Sequence, residues 1–292
     1  VATDAPATDA PPASEAPPAA DITVTVGSAN FPENQLLAEI YGQALEANGI
    51  TVERSLNIGS REVYFAALDS GEIDLLPEYS NSLLSYTLRL DDPEARPAAT
   101  NIAEQVEELR ANLPEGLTVL EASTAEDKDV IVCRAEVAEE LGIATLPEMA
   151  AVADQITLGA PPEFETRTPF GLVGFQERYG AEFEEFVPLN IGGVADALSG
   201  GAIDCGNLFS TMSIITTGGF VAMEDVDTVV PNEAVIPVIR TEVATPEVTA
   251  ILDEVSGVLD TDKLKAMMVE IEVDAADPAV VAQEFLTAEG LA

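Results

Sequence analysis

Between residues 22 and 79 the chain alternates two hydrophobic periodicities, and few architectures accept that pattern. ITVTV (22–26) alternates β-branched residues as a half-buried strand does. GSANFPEN then leads into QLLAEIYGQALEANG, whose apolar residues recur at helical spacing, with Gly49 just past the end as a C-cap. ITVERSLN reads as a second strand, REVYFAALDSG as a second helix and EIDLLPEY as a third strand. This β-α-β-α-β order predicts a parallel sheet with right-handed crossovers. The third strand is expected to run from Ile73 to Leu76 and to break at Pro77, followed by Glu78, Tyr79 and Ser82. Ligands of open α/β sheets bind just outside the carboxyl ends of the strands. GEIDLLPEYSNS (71–82) is therefore read as one wall of a small-molecule site.

The same rhythm continues. A helix is expected over Asn101–Asn112, then the strand LTVLEA, a charged junction STAEDKD (123–129) and the apolar strand DVIVCR. The crossing into a second lobe is placed at that junction. Helices near Glu136–Leu141, Leu146–Ala153, Gly171–Tyr179 and Val194–Leu198 alternate there with ITLGAP, VPLNI and AIDCGNLF. Beyond Ser210 the chain is expected to return, with FVAMED and VIPVIR as strands and three closing helices that cover the first lobe. SGEIDLLPEYS and GGAIDCGNLFS echo each other: small residues, Ile-Asp, an apolar strand end, then a ring and a serine. The echo puts Tyr79 and Phe209 at equivalent strand ends facing a shared cleft; chance likeness of two parallel strands is the alternative. Residues 1–21, all Ala, Pro, Thr, Ser, Val and acid, have no periodicity and read as a disordered tether.

Composition narrows the chemistry. The chain has 53 Asp plus Glu against 12 Lys plus Arg, a net charge of −41, which argues against nucleic acid or an anionic membrane face as partner. With 47% apolar residues it still has material for two cores. A surface so rich in carboxylates and poor in lysine suits high ionic strength, where salt screens self-repulsion. There is no histidine and there are only two cysteines, which leaves zinc or nucleophile–histidine chemistry without its usual groups. No cofactor or metal is expected, and no apolar run approaches the roughly 20 residues of a membrane span.

SANFPENQLLAEIYGQALEANG, GSREVYFAALDSGEIDLLPEYSNSLL, PPEFETR and DPAVVAQEFLTAEGL resemble the solute-binding component of osmoprotectant ABC uptake transporters. This is the glycine betaine/choline/carnitine family, and the likeness runs from about residue 22 to 292. It implies an α/β, two-lobed type II periplasmic-binding-protein (Venus-flytrap) fold. Lobe 1 would comprise 22–126 plus 213–292 and lobe 2 residues 127–212, with crossings near 124–130 and 210–216. It also implies a monomeric, extracytoplasmic, non-enzymatic receptor that hands a small cationic or zwitterionic solute to a membrane permease. The 1–21 tether would join it to a lipid anchor through an N-terminal segment removed or missing from this sequence.

The resemblance assigns roles residue by residue. Tyr79 stands where the family places a wall of its cage for a quaternary ammonium, a group with no N–H that is held by ring faces. Ser82 matches a hydroxyl that donates to the ligand's carboxylate; its alternative is a helix N-cap. Arg167 matches the second-lobe arginine that takes the carboxylate through a bidentate fork, or it is engaged by Glu163, Glu165 or Glu177. Asn34 either caps the first helix or presents its amide to the ligand. Departures matter as much. Asp129 replaces a cage tyrosine, Phe209 replaces another, and PNEAVIP, with Asn232 and Glu233, stands where a third lies. Two rings of four are expected to survive, while Asp127 and Asp129 enter the cleft edge. Carboxylates hydrogen-bond well only to a cation with N–H groups, so an amino acid or other amine-bearing solute is the alternative ligand. A non-transport domain with a degenerate pocket is the alternative of another class. Cys133 and Cys205, on strands expected to be neighbours, would be disulfide-bonded outside the cytoplasm, or else remain as two buried thiols.

Overall fold

The structure, a computed structural model, describes residues 22–93 and 95–292. The expected tether over 1–21 lies outside the described residues. Two five-stranded sheets form, and they share one plan. The first has the order β2 (Thr51–Ser55), β1 (Thr23–Gly27), β3 (Leu75–Tyr79), β10 (Val235–Arg240), β4 (Leu117–Val119). The second has the order β7 (Glu185–Pro188), β6 (Thr157–Ala160), β8 (Cys205–Phe209), β5 (Asp129–Arg134), β9 (Phe220–Ala222). In each sheet three parallel strands are followed by one antiparallel strand: β10 against β3, β5 against β8. The antiparallel strand is in each case the one by which the chain arrives from the other sheet.

The Ile-Asp echo has a physical basis. Asp74 donates its N–H to the Thr25 carbonyl and accepts the Thr25 N–H on Oδ2 at 2.9 Å. Asp204 does the same with Thr157, its Oδ2 accepting at 3.0 Å. Each aspartate thus registers one strand on the next. The preceding isoleucine packs where a neighbouring glycine leaves room: a Cβ at Gly27 would stand 2.4 Å from Ile73 Cδ1, and one at Gly159 would stand 2.4 Å from Ile203 Cδ1. Tyr79 and Phe209 then end β3 and β8 at matching positions.

Helices cover both faces of the first sheet. α1 (Pro32–Ala47) packs with α10 (Pro246–Val258), α11 (Thr261–Glu272) and α12 (Pro278–Glu289) through Leu36, Ile40, Leu252, Met267 and Phe285. On the other face α2 (Arg61–Ser70), α3 (Ser80–Asp91) and α4 (Ile102–Asn112) bury Phe65, Leu83 and Leu109. None of the helices in the described residues is long and apolar enough to cross a membrane.

Two expectations are corrected. β3 does not break at Pro77 but runs through it to Tyr79, with Pro77 opposite Pro237. The Pro77 carbonyl accepts from Asn34 and the Pro237 carbonyl from Leu120, both away from each other. The pair therefore occupies a non-hydrogen-bonded register position between β3 and β10, where a missing N–H removes no bond between these two strands. Nor does the chain return to the first lobe at 213. Phe220–Ala222 pair with β5, and Val221 and Met223 pack into the second sheet's core. The return runs beside the outward crossing: Glu126 bridges Ala234, Asp127 N–H donates to the Glu233 carbonyl at 3.1 Å, and Val235 N–H to that of Ala125 at 3.0 Å.

Cys133 and Cys205 face each other across β5 and β8 and are bonded. Closing a loop of 72 residues is worth about 4 kcal/mol on chain-entropy grounds. Cys133→Ala/Cys205→Ala is expected to lower the urea-unfolding free energy by about that amount. A change below about 1 kcal/mol would show that the bond is not a determinant of stability.

Candidate functional site

The site assembles where the two matched strand ends meet the start of α1. Phe31, the residue before Pro32, occupies the N-cap position without making a side-chain cap. Its ring is free to lie between the lobes. It stacks on Tyr79 at a centroid distance of 6.2 Å and an interplanar angle of 28°, and meets Phe209 at 5.9 Å and 46°. The sequence reading counted two rings here; the structure brings together three. The missed signal was a phenylalanine where a helix ordinarily begins with Ser, Thr, Asp or Asn.

Buried carboxyls underlie the rings. Tyr79 donates its hydroxyl to Glu33 Oε1 at 2.6 Å. The Thr211 hydroxyl lies within bonding distance of both Glu33 Oε2 and Asp127 Oδ1, 3.0 Å from the latter. Asp127 Oδ1 also accepts the Thr211 N–H at 3.1 Å and the Ser210 hydroxyl at 3.2 Å. One hydroxyl carries one hydrogen, and an ionised carboxylate only accepts. Thr211 can bond both neighbours only when one of the two carboxyls is protonated. Burial, reinforced by Glu272, pushes the Glu33 pKa up; burial and the charge of Glu33 push that of Asp127 well up. Glu33 was not singled out from the sequence, since a glutamate in the first helical turn ordinarily serves the helix dipole.

The other expected residues are all present, and each is already engaged. Arg167 donates to Asp129 Oδ2 at 3.0 Å and lies 3.5 Å from Glu163. Ser82 donates its N–H to Glu233 Oε1 at 2.8 Å, at the start of α3. The Glu233 carboxyl, fully desolvated and near Asp129, is pushed up to about 7 despite Ser82 and Arg61. Ser82 is not the N-cap; Tyr79 holds that position. Asn34 does not cap the first helix, whose N-cap is Phe31. Its Oδ1 accepts from Ala29 at 2.7 Å and its Nδ2 donates to Pro77 at 2.9 Å, so it pins the α1 approach to β3. Glu78 is likewise structural, paired through both oxygens with Arg61 at 2.9 Å.

Residues 22–288 match the family model for the substrate-binding domain of ABC-type glycine betaine transport systems. The chain belongs to this family. Among its relatives are the carnitine transport binding protein OpuCC of Listeria monocytogenes, 24% identical over 90% of this chain and 86% of that one. The glycine betaine-binding protein YehZ of Escherichia coli is 27% identical over 91% and 90%. A solved glycine betaine/carnitine/choline ABC transporter structure shares the fold with a TM-score of 0.73 at 20% identity, covering 92% of this chain and 99% of that one. A choline-binding protein in complex with choline aligns with a TM-score of 0.63 at 19% identity, covering 92% of this chain and 89% of that one. Family members are extracytoplasmic substrate-binding proteins, not enzymes, and work with the membrane permease of an ABC importer.

The raised Glu233 pKa has a definite consequence. The ordinary value is 4.5 and the folded one about 7, so the folded state binds more protons than the unfolded between them. That contribution to stability is complete below the ordinary value and is lost as pH rises through the folded one. Glu233→Gln keeps an acceptor for Ser82 but cannot titrate. Melting temperature across that interval should fall less in the variant than in the parent. Superimposable pH profiles would show that Glu233 does not titrate there.

Proposed function

We propose that this protein captures a small quaternary-ammonium or zwitterionic osmolyte, of the glycine betaine or choline type, between its two lobes. The observation that carries this reading is the convergence of Phe31, Tyr79 and Phe209, drawn from both lobes, beside the buried carboxyls of Glu33 and Asp127. Ring faces attract a cation electrostatically even when it has no N–H to donate, and desolvation strengthens the attraction. The carboxyls supply the opposite charge.

The paired crossings at 125–127 and 233–235 act as the hinge, with residues up to about Met223 moving as the second lobe. Closure brings Phe209 and Thr211 onto Phe31, Tyr79 and Glu33 and excludes water. A ligand carboxylate would reach Arg167 by displacing Asp129, and Ser82 by displacing Glu233. The protein acts as a monomer that presents its solute to the permease, held at the cell surface through residues 1–21 and a lipid anchor.

Titration calorimetry against glycine betaine, choline, carnitine and their unmethylated counterparts tests this. At least one of these ligands should bind, and Phe31→Ala should weaken it about tenfold, the worth of roughly one cation–π contact. Absence of heat from every member of the panel would overturn the reading.

A further inference from the structure

The second lobe's sheet carries two buried acceptors that the protein leaves unmatched. Glu33 and Asp127 meet at the Thr211 hydroxyl, which bonds both only when one of them holds a proton. Asp129 Oδ1 is buried without any hydrogen-bond partner in the protein, and so is Oδ1 of Asn207, a residue with no exposed surface. Asp129 pairs with Phe209 across β5 and β8, and Ile131 with Asn207. Directly opposed residues lie on one face of a sheet, so Asn207 shares the face of Asp129 and the cage ring Phe209. Asn207 Nδ2 makes only long contacts, 3.5 Å to Val130 and 3.4 Å to Leu208. Buried acceptors are rarely left unmatched, and each such group points to a donor supplied from elsewhere.

The two positions able to receive a ligand carboxylate are meanwhile occupied from within. Asp129 holds Arg167, and Glu233 holds the Ser82 N–H. Arg61 is committed to Glu78. The cationic Lys128 is bonded to Asn232 and paired with Glu126. A zwitterion would bring one more carboxylate into a cleft where Glu33, Asp127 and Glu233 have no cation of their own. A permethylated ammonium would bring charge but no N–H. We infer that the preferred ligand is an organic monocation that carries N–H donors and no carboxylate, a protonated primary or secondary amine. This rests on the cation-capture reading above, keeps its ring cage, and departs from its quaternary-ammonium or zwitterionic ligand class: the rings hold the cationic head, and its N–H groups answer the carboxyls and the unmatched oxygens.

Four probes of similar size separate the two properties. Ethanolamine and choline differ by N-methylation, as do glycine and glycine betaine; within each methylation state, one carries a hydroxymethyl group where the other carries a carboxylate. Calorimetry of the intact protein should rank ethanolamine about tenfold or more above both choline and glycine, the value of charge-assisted hydrogen bonds gained or a like charge avoided. Choline equal to or tighter than ethanolamine would overturn the N–H requirement while leaving cation capture standing. Glycine or glycine betaine tighter than its alcohol counterpart would overturn the exclusion of carboxylate. No binding of any of the four, nor of carnitine, would remove the cation-capture reading itself. Arg167→Ala gives an independent readout. Releasing Asp129 from its counter-ion should tighten ethanolamine several-fold; a loss of glycine betaine affinity with no gain for ethanolamine would place Arg167 on a ligand carboxylate and overturn the inference.

Discussion

Two buried carboxyls from distant parts of the chain meet at one hydroxyl. Thr211, at the end of the second lobe's central strand, lies against Glu33 from the first helix and Asp127 from the crossing. Two ionised carboxylates packed this closely, away from water, would repel, and burial would add the cost of desolvating each. A single proton removes one charge and supplies the missing donor. That proton therefore favours the contact between the lobes. On the cation-capture reading, a cation entering the same space would do the same electrostatic work as the proton.

The rest of the architecture delivers that contact. Both sheets use the Ile-Asp device: an aspartate registers one strand on its neighbour, and an isoleucine fills the space over a glycine. The strand ends carrying Tyr79 and Phe209 consequently arrive at matching heights on either side of the cleft. Asn34 pins the approach to α1 against Pro77, which fixes Phe31 and Glu33 relative to Tyr79. The crossings run side by side, so the backbone that carries Asp127 is bonded to the one that carries Glu233. Residues far apart in the chain thus enter the site as one connected set.

Much of this was legible because it is periodic or repeated. Alternating strands and helices gave the architecture, and the repeated Ile-Asp motif pointed to paired strand ends. What escaped was decided by tertiary pairing. Pro77 is a strand breaker on propensity, yet it is harmless opposite Pro237, where neither N–H would face the partner strand. Phe220–Ala222 is apolar enough for either lobe, and only its packing assigns it to β5. Phe31 and Glu33 looked like ordinary helix-start residues, because nothing local shows that their side chains turn toward a strand end more than forty positions away. Arg167 and Ser82 were singled out by their motifs, but the partners that engage them, Asp129 and Glu233, come from segments where this chain departs from the family pattern.

The acidic character of the chain acts on two scales. Charges at the surface are screened within about 8 Å at physiological ionic strength, and less than that in stronger salt. The many exposed carboxylates therefore affect solubility and habitat more than ligand choice. Those in the cleft are buried or half-buried, where salt screens less and where attraction to a cation is stronger than in water. Asp129 illustrates the difference. On the surface it would be one acid among 53; at the head of β5 it binds Arg167 on one oxygen and leaves the other unmatched. The arginine that reads as an anion site is neutralised by the chain itself. On the proposed reading, negative charge and acceptor capacity are what a ligand would meet in the cleft.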